Sequence, residues 1–229
     1  INMAQSVLVI ADSGTGKSTA IRNLNPDETF IINIANKPLP FKGWKKDYTL
    51  ISKDNPKGNL ASASSAVGII KAINHVDQKM PHIKTLVVDD WQYMSSFEYF
   101  DRANEKGYDK FTQIAANLAQ VAKMPKDLRD DLTVIFLTHS EDSTDINGNR
   151  KIKAKTIGKM IDNTLTLEGL FSIVLFGKVN KNDDGELQYG FETQNSGENT
   201  CKSPEGMFEE HFIPNNLQYV KDCMKKYEE

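Results

Sequence analysis

The chain has 229 residues, of which 39% are hydrophobic and 26% are charged, and its formal net charge is −3. This composition is typical of a folded domain and too apolar for a disordered chain. The negative net charge argues against a protein that coats duplex nucleic acid with a broad basic surface. No apolar run approaches the roughly 20 residues that a membrane-spanning helix needs, so we expect no contact with the bilayer.

The first residues lack the basic and apolar regions of a signal peptide. The two cysteines, Cys201 and Cys223, are too far apart for the CxxC spacing of a zinc site and too few for a disulfide framework. We therefore expect a protein of the reducing cytoplasm.

Apolar segments alternate with amphipathic ones, which predicts strands and helices in turn. In chain order we expect a strand at residues 6–10, a helix at 19–23, strands at 29–34 and 48–51, a helix at 60–78, a strand at 83–90, helices at 94–104 and 109–123, strands at 133–139, 170–176 and 187–193, and a helix at 217–227. This order predicts an α/β fold with a mostly parallel sheet and helices on both faces, extended by a late antiparallel edge. We expect one domain over residues 1–229, in which 141–160 form a flexible basic loop and 195–229 a C-terminal extension.

A glycine-rich motif follows the first predicted strand: Ala11-Asp12-Ser13-Gly14-Thr15-Gly16-Lys17-Ser18. It matches the P-loop pattern GxxxxGK[ST] except that Ala11, another small residue, replaces the first glycine. Backbone N–H groups in such a loop bind phosphate oxygens, the lysine reaches the β and γ phosphates, and the serine binds Mg²⁺. We therefore predict ATP and Mg²⁺ as cofactors, with these nucleotide-binding residues: Asp12, Ser13, Gly14, Thr15, Gly16, Lys17, Ser18 and Thr19.

Two carboxylates, Asp89 and Asp90, end the clearest strand of the chain. A P-loop protein places its second magnesium ligand at this point, so we assign Asp89, with Ser18, to the metal. Asp90 either orients the attacking water or caps the next helix, and the sequence favours neither.

A histidine, His139, closes the neighbouring predicted strand after Thr138. Parallel strands end at a common edge of the sheet, so this side chain should lie near the P-loop and Asp89. There it can hydrogen-bond the γ-phosphate or the attacking water. The alternative is a structural or surface histidine.

A run of basic residues follows His139 although the chain as a whole is acidic. Its members are Arg150, Lys151, Lys153, Lys155 and Lys159. A basic loop beside a γ-phosphate sensor can bind a nucleic-acid backbone in a nucleotide-dependent way. A solvated charged hairpin is the alternative.

Lys202 lies in the segment Asn199-Thr200-Cys201-Lys202-Ser203-Pro204, after the last predicted strand. It is the candidate for a cation presented to the ATP of a neighbouring subunit, which is the role of an arginine finger. The alternative is an ordinary surface lysine.

The chain resembles the RecA-like P-loop ATPases of bacteriophages, in particular those of single-strand annealing or recombination. The matching features are the P-loop, residues 33–41, the strand ending at Asp90, the Leu137-Thr138-His139 segment and residues 202–208. The resemblance implies a RecA-like core, ATP hydrolysis at subunit interfaces of a ring or filament, and single-stranded DNA as partner, with a single-strand binding protein as a further candidate. It also implies the host cytoplasm as location. In RecA a glutamate beyond an early strand activates water, whereas the corresponding stretch, Asn33-Ile34-Ala35-Asn36-Lys37, carries no acid.

The main hypothesis is therefore an ATPase that acts on single-stranded DNA in phage recombination, replication or repair. The alternative, favoured by the missing glutamate and the acidic composition, is a slow nucleotide-dependent switch or assembly factor that acts on a protein partner. A small-molecule kinase ranks last because the four arginines are scattered singly and cannot form an arginine-rich lid.

Overall fold

A computed structural model describes residues 3–144, 148, 150–156 and 166–229. The strands are β1 (Gln5–Ala11), β2 (Thr29–Asn33), β3 (Leu60–Ala61), β4 (Thr85–Asp89), β5 (Thr133–Thr144), β6 (Arg150–Ala154), β7 (Ile173–Lys181), β8 (Leu187–Glu192) and β9 (Phe212–Pro214). The α-helices are α1 (Trp44–Asp47), α2 (Ala66–Lys79), α3 (Gln92–Asp101), α4 (Asp109–Lys123) and α5 (Leu217–Glu228). Short 3₁₀ helices span Ser18–Asn23, Pro26–Glu28, Met124–Asp127 and Leu167–Leu170.

The strands form one sheet in the order β3-β2-β4-β5-β1-β7-β8-β9, and β6 pairs with β5 off this path. All pairs from β3 to β7 are parallel, whereas β8 and β9 add an antiparallel edge. The predicted mostly parallel sheet with a late antiparallel edge is confirmed. Because β5 lies between β1 and β4, the C-terminal ends of these three strands meet at one edge.

Helices cover both faces of the sheet. On β1, Leu8 and Ile10 face a cluster that includes residues of α2, α3 and α4, while Val7 and Val9 face a second cluster that includes residues of α5. This alternation follows from the period of two in a strand. The result is the predicted three-layer architecture. None of the described helices is both long and apolar enough to cross a bilayer.

The edge beyond β2 differs from the prediction. The strand predicted at residues 48–51 is wrong, because Leu50 makes only an isolated bridge with Leu60 and the preceding residues form α1. The helix predicted from residue 60 begins at Ala66, since Leu60 and Ala61 pair with β2 as β3. The Ser65 side chain caps the helix by accepting a hydrogen bond from the Gly68 N–H.

Three further segments differ from their predicted form. The helix after the P-loop is a 3₁₀ helix, and the strand predicted from residue 170 begins at Ile173 after another 3₁₀ turn. The described part of the basic segment is a hairpin rather than a loop, because β5 continues to Thr144 and pairs with β6. The three-residue strand β9 was not predicted.

Candidate active site

The P-loop connects β1 to the first 3₁₀ helix at the C-terminal edge of the sheet. Gly14 and Gly16 have φ angles of 81° and 88°, a left-handed conformation that glycine adopts without strain. Lys17 is buried, with 5% of its surface exposed. The side chain of Asp12 accepts a hydrogen bond from the Ser140 hydroxyl, which ties the loop to the extension of β5.

Two small residues lie directly beneath the loop. Ala11 pairs in register with His139 on β5 and with Gly177 on β7. A Cβ atom at residue 177 would lie 2.7 Å from the Cβ of Ala11. The small residues at both positions therefore let β7 run close to the strand that carries the P-loop.

Ser18 and Asp89 bring two hard oxygen ligands together. The Ser18 hydroxyl donates to Asp89 Oδ1 over 2.8 Å. An octahedral Mg²⁺ with metal–oxygen distances of about 2.1 Å holds neighbouring ligands at about 3 Å from each other, so the pair fits this ion. The described residues contain no group of three or more acidic, histidine or cysteine ligands, but Mg²⁺ in a phosphate site takes most of its ligands from phosphates and water.

Asp90 is the centre of a buried polar cluster. Its Oδ1 lies 2.6 Å from Lys17 Nζ and 3.3 Å from His139 Nε2, and its Oδ2 lies 2.7 Å from Lys37 Nζ. Trp91 is the N-cap residue of α3 and no side chain caps that helix, so the capping interpretation of Asp90 is wrong. Burial alone would raise the pKa of Asp90, but the hydrogen bond from His139 and the charge of Lys17 lower it well below its usual range.

Lys37 was missed as a site residue. It follows β2 in the segment where an acid was expected, and its ammonium group also lies 5.2 Å from the centre of the Tyr93 ring. Burial lowers the pKa of Lys37, but the hydrogen bond and charge of Asp90 outweigh burial and raise it. Its only signal in the sequence was its position after β2.

His139 is fixed by neighbours on two sides. Its backbone N–H donates to Gln92 Oε1 over 3.1 Å, and the Thr138 hydroxyl donates to the same oxygen over 3.3 Å. The Tyr93 ring meets the imidazole edge-on, with 6.0 Å between ring centres. The Lys155 N–H donates to the His139 carbonyl over 2.8 Å, which connects this site to the basic hairpin. Gln92 carried no signal in the sequence.

A cleft of about 410 Å³ opens over the P-loop. Besides predicted residues it is lined by five that were not assigned to the site: Arg22, Lys37, Pro40, Tyr189 and Asn215. Asn215 accepts a hydrogen bond from Arg22 and donates to the Gly16 carbonyl, each over 2.9 to 3.0 Å. The antiparallel edge of the sheet thus forms one wall of the cleft.

The basic hairpin carries acidic partners for part of its charge. Arg150 pairs with Asp142 at 2.9 Å and Lys153 with Glu141 at 3.2 Å. Lys151 and Lys155 are exposed. Lys159, the fifth predicted DNA-binding residue, lies outside the described residues.

Lys202 is exposed. Its backbone pairs with Val174, three residues before Gly177 along β7. Three residues of a strand span roughly 10 Å. The role of Lys202 at the ATP site of a neighbouring subunit stays a prediction.

The chain is similar to known proteins in sequence family and in fold. No curated protein matches the chain. Among solved structures, the flagellar accessory protein FlaH from Methanocaldococcus jannaschii has 11% sequence identity and a TM-score of 0.43, over 89% of this chain and 84% of that chain. A family model described as an AAA domain, AAA_24, matches residues 3–204. This match and the P-loop at the edge of a mostly parallel sheet lead to one conclusion: the chain belongs to the AAA domain family and has the fold of a P-loop ATPase.

Proposed function

We propose that the chain binds ATP with Mg²⁺ in the cleft and hydrolyses the bond between the β and γ phosphates. The observation that carries the proposal is the convergence of three groups at one point: the P-loop lysine Lys17, the Ser18–Asp89 oxygen pair and the Asp90 carboxylate. A cation, a metal-ligand pair and a carboxylate are the parts that hydrolysis of ATP requires.

In this proposal the P-loop N–H groups bind the phosphates and Lys17 contacts the β and γ oxygens. Ser18 and Asp89 hold Mg²⁺, which supplies positive charge to the same phosphates. Lys17 is paired with Asp90 at 2.6 Å, so the incoming phosphates compete with this carboxylate for the lysine. This competition favours modest affinity and slow turnover.

Asp90 is proposed to accept the proton of the attacking water. The water oxygen forms a bond to the γ-phosphorus while the bond from that phosphorus to the bridging oxygen breaks, and ADP leaves with the electron pair. The water proton passes to the Asp90 carboxylate, which becomes a stronger base once the phosphates have taken Lys17 from it, because the charge of Lys17 is one cause of its lowered pKa. His139, 3.3 Å from Asp90 Oδ1, holds this carboxylate in place. Asp90 thereby takes the part of the glutamate that residues 33–37 lack.

Single-stranded DNA is the partner that we propose for the basic hairpin, in phage recombination, replication or repair. Two features support it: Lys151 and Lys155 are exposed, and Lys155 is hydrogen-bonded to the carbonyl of His139. A change at His139 between bound ATP and bound ADP would thus be transmitted to the hairpin. The same proposal includes assembly into a homo-oligomer in which Lys202 faces the ATP of a neighbouring subunit. A single-strand binding protein is a further candidate partner.

The second candidate function is a slow switch that acts on a protein partner. The ion pairs of Arg150 and Lys153 favour it, because they neutralise half of the four described basic residues of the hairpin. A nucleic-acid backbone needs free cations, whereas a protein surface can also accept a hairpin of mixed charge.

The proposed hydrolysis is tested by phosphate release from ATP, with Mg²⁺ and with the metal chelated, for the wild type and Lys17→Ala. We expect turnover by the wild type with Mg²⁺ and a loss of at least about 100-fold in either the variant or the chelated sample. Equal phosphate release by the wild type and Lys17→Ala would reject the proposal.

A further inference from the structure

Lys37 is a second cation at the ATP cleft, and the proposed reaction does not yet use it. Its ammonium group lies 2.7 Å from Asp90 Oδ2, while Lys17 lies 2.6 Å from Oδ1 of the same carboxylate. The two ammonium groups therefore flank one carboxylate. The side chain of Lys17 is 6% exposed and that of Lys37 is 55% exposed, so Lys37 has room to change partner without moving the core.

The backbone around Lys37 is held in a defined shape. The buried Asn33 side chain donates to the Lys37 carbonyl over 2.6 Å and accepts from the Lys37 N–H over 3.3 Å. Asn36, directly before Lys37, has a φ of 51°. Asparagine tolerates this left-handed conformation better than most residues, but it remains strained and persists where the surroundings enforce it. These contacts fix the backbone position from which the Lys37 side chain reaches Asp90.

We propose that Lys37 supplies, from the same chain, a second positive charge to the γ-phosphate of ATP during its transfer to water. The inference rests on the proposed hydrolysis of ATP. A γ-phosphate that takes Lys17 from Asp90 comes within a few ångströms of Lys37, because both lysines contact the same carboxylate. Lys37 then exchanges one Asp90 oxygen for a phosphate oxygen.

The step is balanced without a change at Lys37 itself. One oxygen–phosphorus bond forms from water, one breaks to ADP with its electron pair, and the lysine keeps its protons. Its charge stabilises the peripheral oxygens of the γ-phosphoryl group, where negative charge is concentrated in the transition state. The exchange also leaves one oxygen of Asp90 free to meet the attacking water.

A cation from the same chain makes a distinct prediction about assembly. A finger from a neighbouring subunit, the role proposed for Lys202, acts only in an oligomer. Lys37 acts within a single chain, so the fold-loss of turnover in Lys37→Gln should be the same whether the chain is monomeric or assembled.

The test compares Lys37→Gln, which removes the charge and keeps a polar, slightly shorter side chain, and Lys37→Arg with the wild type. Lys42→Gln is the matched control, since Lys42 is an exposed lysine five residues further along. Two quantities are measured: turnover of MgATP, and affinity for ADP with and without aluminium fluoride, which imitates the transferring phosphoryl group. Circular dichroism and thermal melting verify that each variant is folded; Lys37→Met replaces Lys37→Gln if that variant fails to fold.

We expect Lys37→Gln to lose turnover by about 100-fold while its affinity for ADP alone stays within about threefold. The gain in ADP affinity from aluminium fluoride should fall by about 100-fold in Lys37→Gln, partly return in Lys37→Arg and remain in the control. A structural role in holding Asp90 would not remove that gain. Unchanged turnover and an unchanged gain in Lys37→Gln overturn the inference.

The two proposals fail in different ways. If aluminium fluoride raises the affinity of the wild type for ADP through Lys37 while no ATP is turned over, the proposed hydrolysis is rejected. The inferred contact of Lys37 with the phosphoryl group is then kept. If the wild type hydrolyses ATP and Lys37→Gln is unimpaired, the inference about Lys37 is rejected and the proposed hydrolysis is kept. A wild type that binds neither ADP nor its aluminium fluoride complex rejects both.

Discussion

Asp90 is the residue on which the candidate site depends. Its φ of 58° is left-handed, a conformation in which aspartate and asparagine are several-fold enriched. The carboxylate contacts Lys17, Lys37 and His139 instead of the helix that follows. Asp89, Asp90 and Lys17 are buried, and the more exposed Lys37 adds a second positive charge beside Asp90. The pairing matters because a single unpaired buried charge would be strongly destabilising.

Ser18→Ala removes one of the two oxygens assigned to Mg²⁺. We expect the Mg²⁺ concentration at half-maximal ATPase activity to rise about tenfold, because the metal then keeps a single protein ligand. The measurement is a Mg²⁺ titration of phosphate release. ATP affinity in the presence of a chelator is the internal control and should not change. An unaltered Mg²⁺ dependence would remove Ser18 from the metal site.

The site residues form two groups, those whose position the local sequence encodes and those that only tertiary contacts bring to the site. Lys17, Ser18 and Asp89 were predictable because the motif and the strand end encode their positions locally. The meeting of His139 with Asp90 followed from the rule that parallel strands end at a common edge. Lys37, Gln92 and Asn215 reach the cluster through tertiary contacts that leave no periodic or spaced pattern, so the sequence alone could not assign them.

At the scale of the elements, the close packing of β7 against β1 positions the P-loop relative to the sheet. Gly177→Ala adds a Cβ at 2.7 Å from the Cβ of Ala11, a contact that two backbone-bound carbons cannot relieve by rotation. We expect a loss of about 1–3 kcal/mol in the free energy of unfolding, measured by urea denaturation, and weaker binding of ATP. Gly169→Ala is the control, because its added Cβ meets only Thr166 at 3.9 Å. Equal stability of the two variants would contradict the close packing of β7.

The basic hairpin is the element on which the two functional candidates disagree. Lys151→Glu with Lys155→Glu reverses the charge of two exposed lysines and leaves the ion-paired Arg150 and Lys153 intact. The DNA proposal predicts that binding of single-stranded oligonucleotides at low salt collapses, since each phosphate contact contributes through counterion release. The control, Lys71→Glu with Lys79→Glu on α2, makes the same change of charge at two other exposed positions. Equal loss in both double variants, or no binding by the wild type, would favour the protein switch.

Long apolar strands were the most predictable elements, and the edges of the sheet were the least. β1, β4 and the first half of β5 are buried on both faces, so they contain continuous runs of apolar residues. β3 has two residues and β9 has three, too few for a periodic pattern. The strand expected at residues 48–51 has the right composition, but pairing with β2 goes instead to Leu60 and Ala61.

At the scale of the whole molecule, the order of strands produces the site. With β5 between β1 and β4, the P-loop, the paired aspartates and His139 emerge side by side from three neighbouring strands. The antiparallel edge adds Tyr189 and Asn215 as a wall of the cleft. The family match over residues 3–204 includes all of these parts except Asn215. The fold thus accounts for a nucleotide site, and the hydrolytic role of Asp90 is what remains to be measured.

The most direct measurement is phosphate release from MgATP by Asp90→Asn. Asparagine suits the left-handed backbone at this position, so the variant should fold, which circular dichroism verifies. We expect turnover to fall at least about 100-fold, while MgATP binds as tightly as to the wild type or more tightly, since Lys17 loses the nearer of its two carboxylate partners. Turnover equal to that of the wild type would contradict the account.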